Sequence, residues 1–151
     1  MLSTTSQYAL RAMTLLASRY RSAAVLGREI ARETGIPANY LAKILVGLNK
    51  AGIVAATRGT RGGYSLTVSP DSITLDKIVA VFDRDIVNPC CLLGYGRPCS
   101  DENACTAHHA WKETREKLVH FLGSTTLHDI SQGRPGQRNQ LLASGALLQP
   151  E

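Results

Sequence analysis

The chain has 151 residues, enough for one domain or a small domain with an extension, and its 44% hydrophobic and 19% charged content is that of a globular protein. Charge interrupts its apolar runs before the roughly 20 residues that a bilayer-spanning helix needs, and the first residues lack the order of a secretory signal, so a cytoplasmic protein is expected. Net charge is +5, but residues 1–70 hold nine Lys/Arg against two acids (+7) and residues 71–151 eight against ten (−2), so the N-terminal half is the one suited to a polyanion.

The first predicted element is a helix over "SQYALRAMTLLASRY", with Ala9, Met13, Leu16 and Tyr20 on one face. Two helical patterns follow in "LGREIARETGIPANYLAKILVGLNKAGIV", separated by "TGIP". Gly35 supplies the positive φ that ends the first, and Pro37 opens the second where its missing N–H costs nothing. In the second helix Tyr40, Leu41, Ile44, Leu45 and Leu48 form the apolar stripe, while Asn39, Ala42, Lys43 and Gly47 fall elsewhere. An interior glycine costs about 1 kcal/mol relative to alanine, so Gly47 weakens the helix. Two short helices about a tight turn predict a helix-turn-helix, whose second helix is dimensioned for the DNA major groove.

Next, "IVAATRG" and "GGYSLTV" are β-prone runs around "GTRGG", which predicts a hairpin with Arg58 and Arg61 near its tip. A helix-turn-helix followed by such a hairpin is a winged helix, and these arginines are placed to reach phosphates or the minor groove. The helical period returns in "ITLDKIVAVF", with Thr74 as N-cap and Leu75, Ile78, Val79 and Phe82 on one face. Beyond residue 105, "HHAWKETREKLVHFLGS" repeats Ala107, Trp111, Thr114, Leu118 and Phe121 on one side, with a Glu113–Lys117 pair on another. A helix outside a finished core needs a surface for its stripe, and the same helix of a second subunit is the expected one. The last stretch has no sustained period and is expected to be a disordered tail.

Between the last two helices, residues 89–111 hold all four cysteines, two of the four histidines and the only tryptophan. Seven residues separate Cys91 from Cys99, five separate Cys99 from Cys105, and His108 follows three beyond Cys105. Cytosolic thiols stay reduced, and thiolates are soft donors for iron–sulfur clusters, Zn(II) and Cu(I). The gaps exceed those of structural zinc sites, which favours a cluster over a single ion. Cys90 adjoins Cys91 and is a spare or alternative ligand. A reversible disulfide involving Cys99 or Cys105 is the competing chemistry, and a small metal or cluster carrier is a further one. No nucleophile, base and orienting acid fall together, so no enzyme is expected.

These features together resemble the bacterial winged-helix repressor family that includes IscR, NsrR and RirA. The resemblance runs from "LSTTSQYALRAM" through "GIPANYLAKILVGLNKAGIVAATRGTRGGYSL" to "CTAHHAWKETREKLVHFL". It implies a homodimer with crossing C-terminal helices and a cluster whose state alters operator affinity. Position by position, Cys91, Cys99 and Cys105 match the cluster cysteines, and His108 and Trp111 match the histidine ligand and tryptophan of the "C..H..W" stretch. Pro37, Asn39, Tyr40 and Lys43 fall where the recognition helix meets DNA, and Arg58, Thr60 and Arg61 where the wing does. The first cysteine gap is longer than in IscR and closer to RirA. Gln7, a poor ligand, stands where NsrR-like members offer an aspartate, so the resemblance makes His108 the preferred fourth ligand if the cluster has one.

The expectation is therefore a mainly α protein with a small β wing. It has a winged helix-turn-helix domain over 1–83, a cluster-binding loop over 84–105, a long C-terminal dimerisation helix over 106–130 and a tail over 131–151. The function expected is transcription control at a near-palindromic double-stranded operator, as a repressor in the sense the resemblance implies, with affinity controlled by an iron–sulfur cluster of either [2Fe–2S] or [4Fe–4S] type.

Overall fold

The computed structural model describes residues 2–59, 62–87, 91–93 and 100–132. Thr60, Arg61, Cys90, Cys99 and the expected tail from residue 133 onward lie outside the described residues. The elements are α1 (Thr4–Ser18), α2 (Gly27–Thr34), α3 (Ala38–Lys50), β1 (Val54–Thr57), β2 (Gly63–Leu66), α4 (Leu75–Phe82), the short α5 (Arg84–Val87), α6 (His108–Ser124) and α7 (Leu127–Ser131). The fold is mainly helical with one small antiparallel sheet. Among the described residues no helix is long and apolar enough to cross a membrane.

Helix α1 is capped by the Ser3 hydroxyl, which accepts from the Ser6 amide, and it buries Ala9, Ala12, Met13 and Leu16 at helical spacing. Helices α2 and α3 pack on it through Ile30, Leu41, Ile44, Leu45 and Leu48, all buried. Each such side chain removed from water contributes about 1.5–3 kcal/mol before conformational entropy is counted. Gly35 ends α2 in the left-handed region at φ 69°, a conformation that costs glycine nothing and turns the chain into α3. Gly47 is explained by packing: a Cβ there would lie 2.9 Å from the Phe82 ring. The glycine therefore lets α4 lie close against α3, and its helical cost is offset by contact.

The wing pairs Val54 with Leu66, Ala55 with Ser65, Ala56 with Tyr64 and Thr57 with Gly63. A third segment joins it, because Val25 and Tyr64 exchange backbone hydrogen bonds of 2.9 and 2.8 Å. Gly63, at φ 151°, is needed there, since a Cβ would stand 2.6 Å from the Val25 carbonyl oxygen. The hairpin is thus tied to the helical body and held beside α3.

Two expectations are corrected. Tyr40 does not join the buried stripe of α3 but is 38% exposed; the helix turns its face toward solvent at that position while Leu41 points inward. The C-terminal helix also does not continue to residue 130 outside the domain. It ends at Ser124, and Thr125–Leu127 pairs with the segment before α4: the Leu75 amide donates to Thr125 O at 3.0 Å and the Leu127 amide to Ile73 O at 2.7 Å. Leu122 packs with Leu75 and Val79, and Leu127 enters the main core. The physical cause is local. Gly123, Ser124, Thr125 and Thr126 are poor helix residues, and Thr126 and Asp129 form a reciprocal capping box that starts α7. Thr74 sits at the N-cap position of α4 as expected, but its hydroxyl donates to the Asp76 carboxylate and not to the helix.

The capping box carries a pH dependence. Hydrogen bonds from the Thr126 side chain and then its backbone hold Asp129 below the usual carboxylate range. A depressed folded value stabilises the fold above the unfolded pKa, and that contribution is lost as pH falls through the folded one. Asp129→Asn is expected to lower the melting temperature at neutral pH modestly, because the Thr126 cap remains while the charge that its hydrogen bonds favour is lost, with the difference from wild type shrinking below about pH 4. Melting curves measured across that range check it.

Candidate nucleic-acid interface and cysteine segment

The start of α3 is the exposed part of that helix. Pro37, Ala38, Asn39, Tyr40, Ala42 and Lys43 all face solvent, whereas Leu41, Ile44 and Leu45 hold the helix to the core. Of the residues expected at DNA, the structure therefore brings Pro37, Asn39, Tyr40 and Lys43 onto one accessible stretch, and Arg58 is exposed at the end of β1. Thr60 and Arg61 lie outside the described residues.

The negative charge of this half is gathered in one place. Its only two acids, Glu29 and Glu33, both bind Arg19, whose guanidinium donates to them at 3.0 Å and at 2.6 Å. These partners raise the Arg19 pKa, through the hydrogen bond to Glu29 first and that to Glu33 next. Arg11, Arg28, Lys43 and Arg58 are exposed and, among the described residues, make no ion pair. A surface that keeps its cations uncompensated while anchoring its acids internally is suited to a polyphosphate.

Tyr40 is ordered by α1. Its hydroxyl lies 2.6 Å from Thr5 Oγ1, and its ring meets Tyr8 edge to face, with centroids 5.6 Å apart at 87°. Arg11 stands over the Tyr8 ring, its Cζ 5.4 Å from the centroid. The sequence reading singled out none of Thr5, Tyr8 and Arg11 as functional. Their spacing at i, i+3 and i+6 on a helix face was the available signal, but without α3 beside it that face carries no meaning.

In the cysteine segment, the Sγ atoms of Cys91 and Cys105 lie 4.0 Å apart. Two thiolates sharing one tetrahedral metal, with bonds of about 2.3 Å, stand about 3.8 Å apart, so this pair fits a thiolate-ligated metal group without rearrangement. Cys99 lies outside the described residues. His108 opens α6 and is 97% removed from solvent at 3% exposure. Its Nε2 donates to Asp101 Oδ1 at 2.8 Å, and Lys112 Nζ reaches the same carboxylate at 3.0 Å. The hydrogen bond from His108 and then that from Lys112 hold Asp101 below the usual carboxylate range. Sequence reasoning missed Asp101, which stands seven residues from His108 with no periodic relation to it. Trp111 is half-buried on the next turn of α6.

A helix-turn-helix with an exposed, basic second helix, followed by a basic hairpin anchored to the body, defines a winged-helix DNA-binding transcription regulator. The Rrf2 family model, described as an iron-dependent transcriptional regulator, matches residues 2–133, and the chain belongs to that family. It is 38% identical over 130 residues, 85% of this chain and 89% of the other, to an HTH-type transcriptional regulator of Aquifex aeolicus. It is 30% identical over 129 residues, 85% of this chain and 76% of the other, to the transcriptional regulator IscR of Vibrio vulnificus. Among solved structures it is similar to CymR, the global cysteine regulator of B. subtilis, at 28% identity and a TM-score of 0.74, with 87% of this chain and 95% of that one covered. The protein is a transcription regulator and not an enzyme.

Proposed function

We propose that this chain is a homodimeric, cytoplasmic repressor whose affinity for a near-palindromic operator is set by an iron–sulfur cluster held by Cys91, Cys99 and Cys105, with His108 as fourth ligand. The observation that carries this reading is the approach of Cys91 and Cys105 to 4.0 Å across fourteen positions of chain, beside a buried histidine. The donor set is soft and fits such a group. When bound, the cluster would supply a redox- and iron-responsive state. Asp101 would accept from His108 Nε2 and so fix which imidazole nitrogen faces a ligand site. DNA contacts are assigned to Pro37, Asn39, Tyr40, Lys43, Arg58, Thr60 and Arg61.

A mechanical route supports coupling between sensor and reader. Helix α6 carries His108 at one end and Leu122 at the other, and Leu122 packs with Leu75 and Val79 of α4. At the end of α4, Phe82 rests against Gly47 of α3. A change in the seating of α6 therefore acts on the reading helix through one intervening element, which is a route by contact and carries no measured coupling energy. Dimerisation would cover the outward face of α6, where Phe121 is 45% exposed.

One specific observation favours a second reading, a thiol-based switch without a cluster: the same 4.0 Å thiol pair is close enough to be oxidised, and a similar solved structure is that of Staphylococcus aureus CymR in an oxidized form. Protein purified without oxygen separates the two. Visible absorbance with stoichiometric iron and sulfide supports the cluster; colourless protein that gains a Cys91–Cys105 disulfide on oxidation and loses DNA affinity with it supports the switch.

A further inference from the structure

The contacts around Tyr40 are costly to maintain for a side chain that adds nothing to the core. An exposed phenol is pinned by a hydrogen bond to Thr5 and by an edge contact with Tyr8, and Arg11 is stacked on that same Tyr8. Fixing long exposed side chains loses rotamer entropy, which exposed contacts of this kind repay only in part. Tyr8 is itself packed against the core, so the group is rigidly mounted. The first acid in the chain is Glu29, which is bound to Arg19; α1 therefore presents no carboxylate to repel phosphates.

We propose that the outward face of α1 is a third DNA-contacting element beside α3 and the wing. Tyr40 Oη–H and the Arg11 guanidinium each take a backbone phosphate oxygen, and Thr5 and Tyr8 are the positioning residues that hold them. Either hydroxyl can donate in the Thr5–Tyr40 contact; in the proposed DNA-bound arrangement the Thr5 hydroxyl donates to the phenol oxygen, which leaves the phenol proton to be donated outward to phosphate. The contact is to backbone and reads no bases, so it acts on any duplex. Prior ordering lowers the entropy that binding would otherwise cost. The inference rests on the reading that the exposed start of α3 faces DNA.

Fluorescence anisotropy with the full-length protein, over a salt series, tests it on two probes: the duplex immediately upstream of the protein's own coding sequence and a random-sequence duplex of equal length. Arg11→Gln is expected to flatten the slope of log affinity against log salt by about one on both probes. Tyr40→Phe is expected to weaken binding about tenfold on both, and Thr5→Val to weaken it without changing the slope. The Thr5→Val/Tyr40→Phe pair should bind no worse than Tyr40→Phe alone, because one removes the orientation of what the other deletes. An unchanged slope for Arg11→Gln, or additive losses in the double variant, overturns the proposal; melting temperatures matched to wild type establish that these exposed changes leave the fold intact. Lys43→Ala and Arg58→Ala separate the two levels. If they flatten the slope and Arg11→Gln does not, only the α1 contact fails; if none of the three does, the α3-and-wing interface fails with it.

Discussion

Leu127→Ala is expected to destabilise the protein by about 2–5 kcal/mol, a large share of the roughly 5–15 kcal/mol available to a domain. Leu127 is fully buried in the same cluster as Met13, Ile30 and Leu48 although it lies beyond the long C-terminal helix. Its amide is bonded to Ile73 and its neighbour Thr126 bridges Thr74, so the surroundings are held by backbone pairing and collapse little into the cavity. The comparison variant is Phe121→Ala. Phe121 is 45% exposed, and its replacement should leave the stability of a single chain nearly unchanged while weakening any dimer. Chemical denaturation followed by circular dichroism at low protein concentration measures both. A cost below about 1 kcal/mol for Leu127→Ala would show that the segment after α6 is an appendage and not part of the core.

Under the cluster reading, Cys105→Ala and Cys91→Ala should each abolish bound iron and sulfide and the visible chromophore of anaerobically purified protein, whereas Cys90→Ala should leave them largely intact. The asymmetry follows from geometry: Cys91 and Cys105 stand 4.0 Å apart across fourteen positions of chain, and neighbouring residues such as Cys90 and Cys91 rarely ligate the same site. Loss of a thiolate ligand removes the donor and exposes the metal to water, so partial occupancy is not the expected result. Retention of the chromophore in Cys105→Ala, or its loss in Cys90→Ala, would overturn the ligand assignment. A colourless wild type whose Cys91 and Cys105 become linked on oxidation would transfer the same pair of residues to the thiol switch. Iron and sulfide analysis with peptide mapping under non-reducing conditions reads every one of these outcomes.

Much of the architecture was legible along the chain because its causes are local. The 3.6-residue spacing of Leu41, Ile44, Leu45 and Leu48 requires a helix with one buried face, Gly35 requires a turn of positive φ, and the β-prone runs about Gly59, Gly62 and Gly63 require a hairpin. Crowded cysteines likewise marked the candidate cysteine site before any fold was known. Tyr40 shows where periodicity stops being sufficient: it sits at the edge of the apolar stripe, and a spacing rule does not distinguish an aromatic facing the core from one leaning on α1.

The remaining features depend on residues distant in sequence. Thr5 and Tyr40 are 35 positions apart, and Gly47 has a purpose only because Phe82 arrives from another helix. Residues 125–127 look like the fraying end of a helix until the segment before α4 pairs with them. Asp101 is one more surface acid until a loop turns it onto His108. Local spacing and backbone preference act over a few residues and so were readable from the order of amino acids. Which exposed phenol is pinned, which leucine closes the core and which carboxylate meets the histidine were set by packing between elements, whose partners the chain order does not reveal.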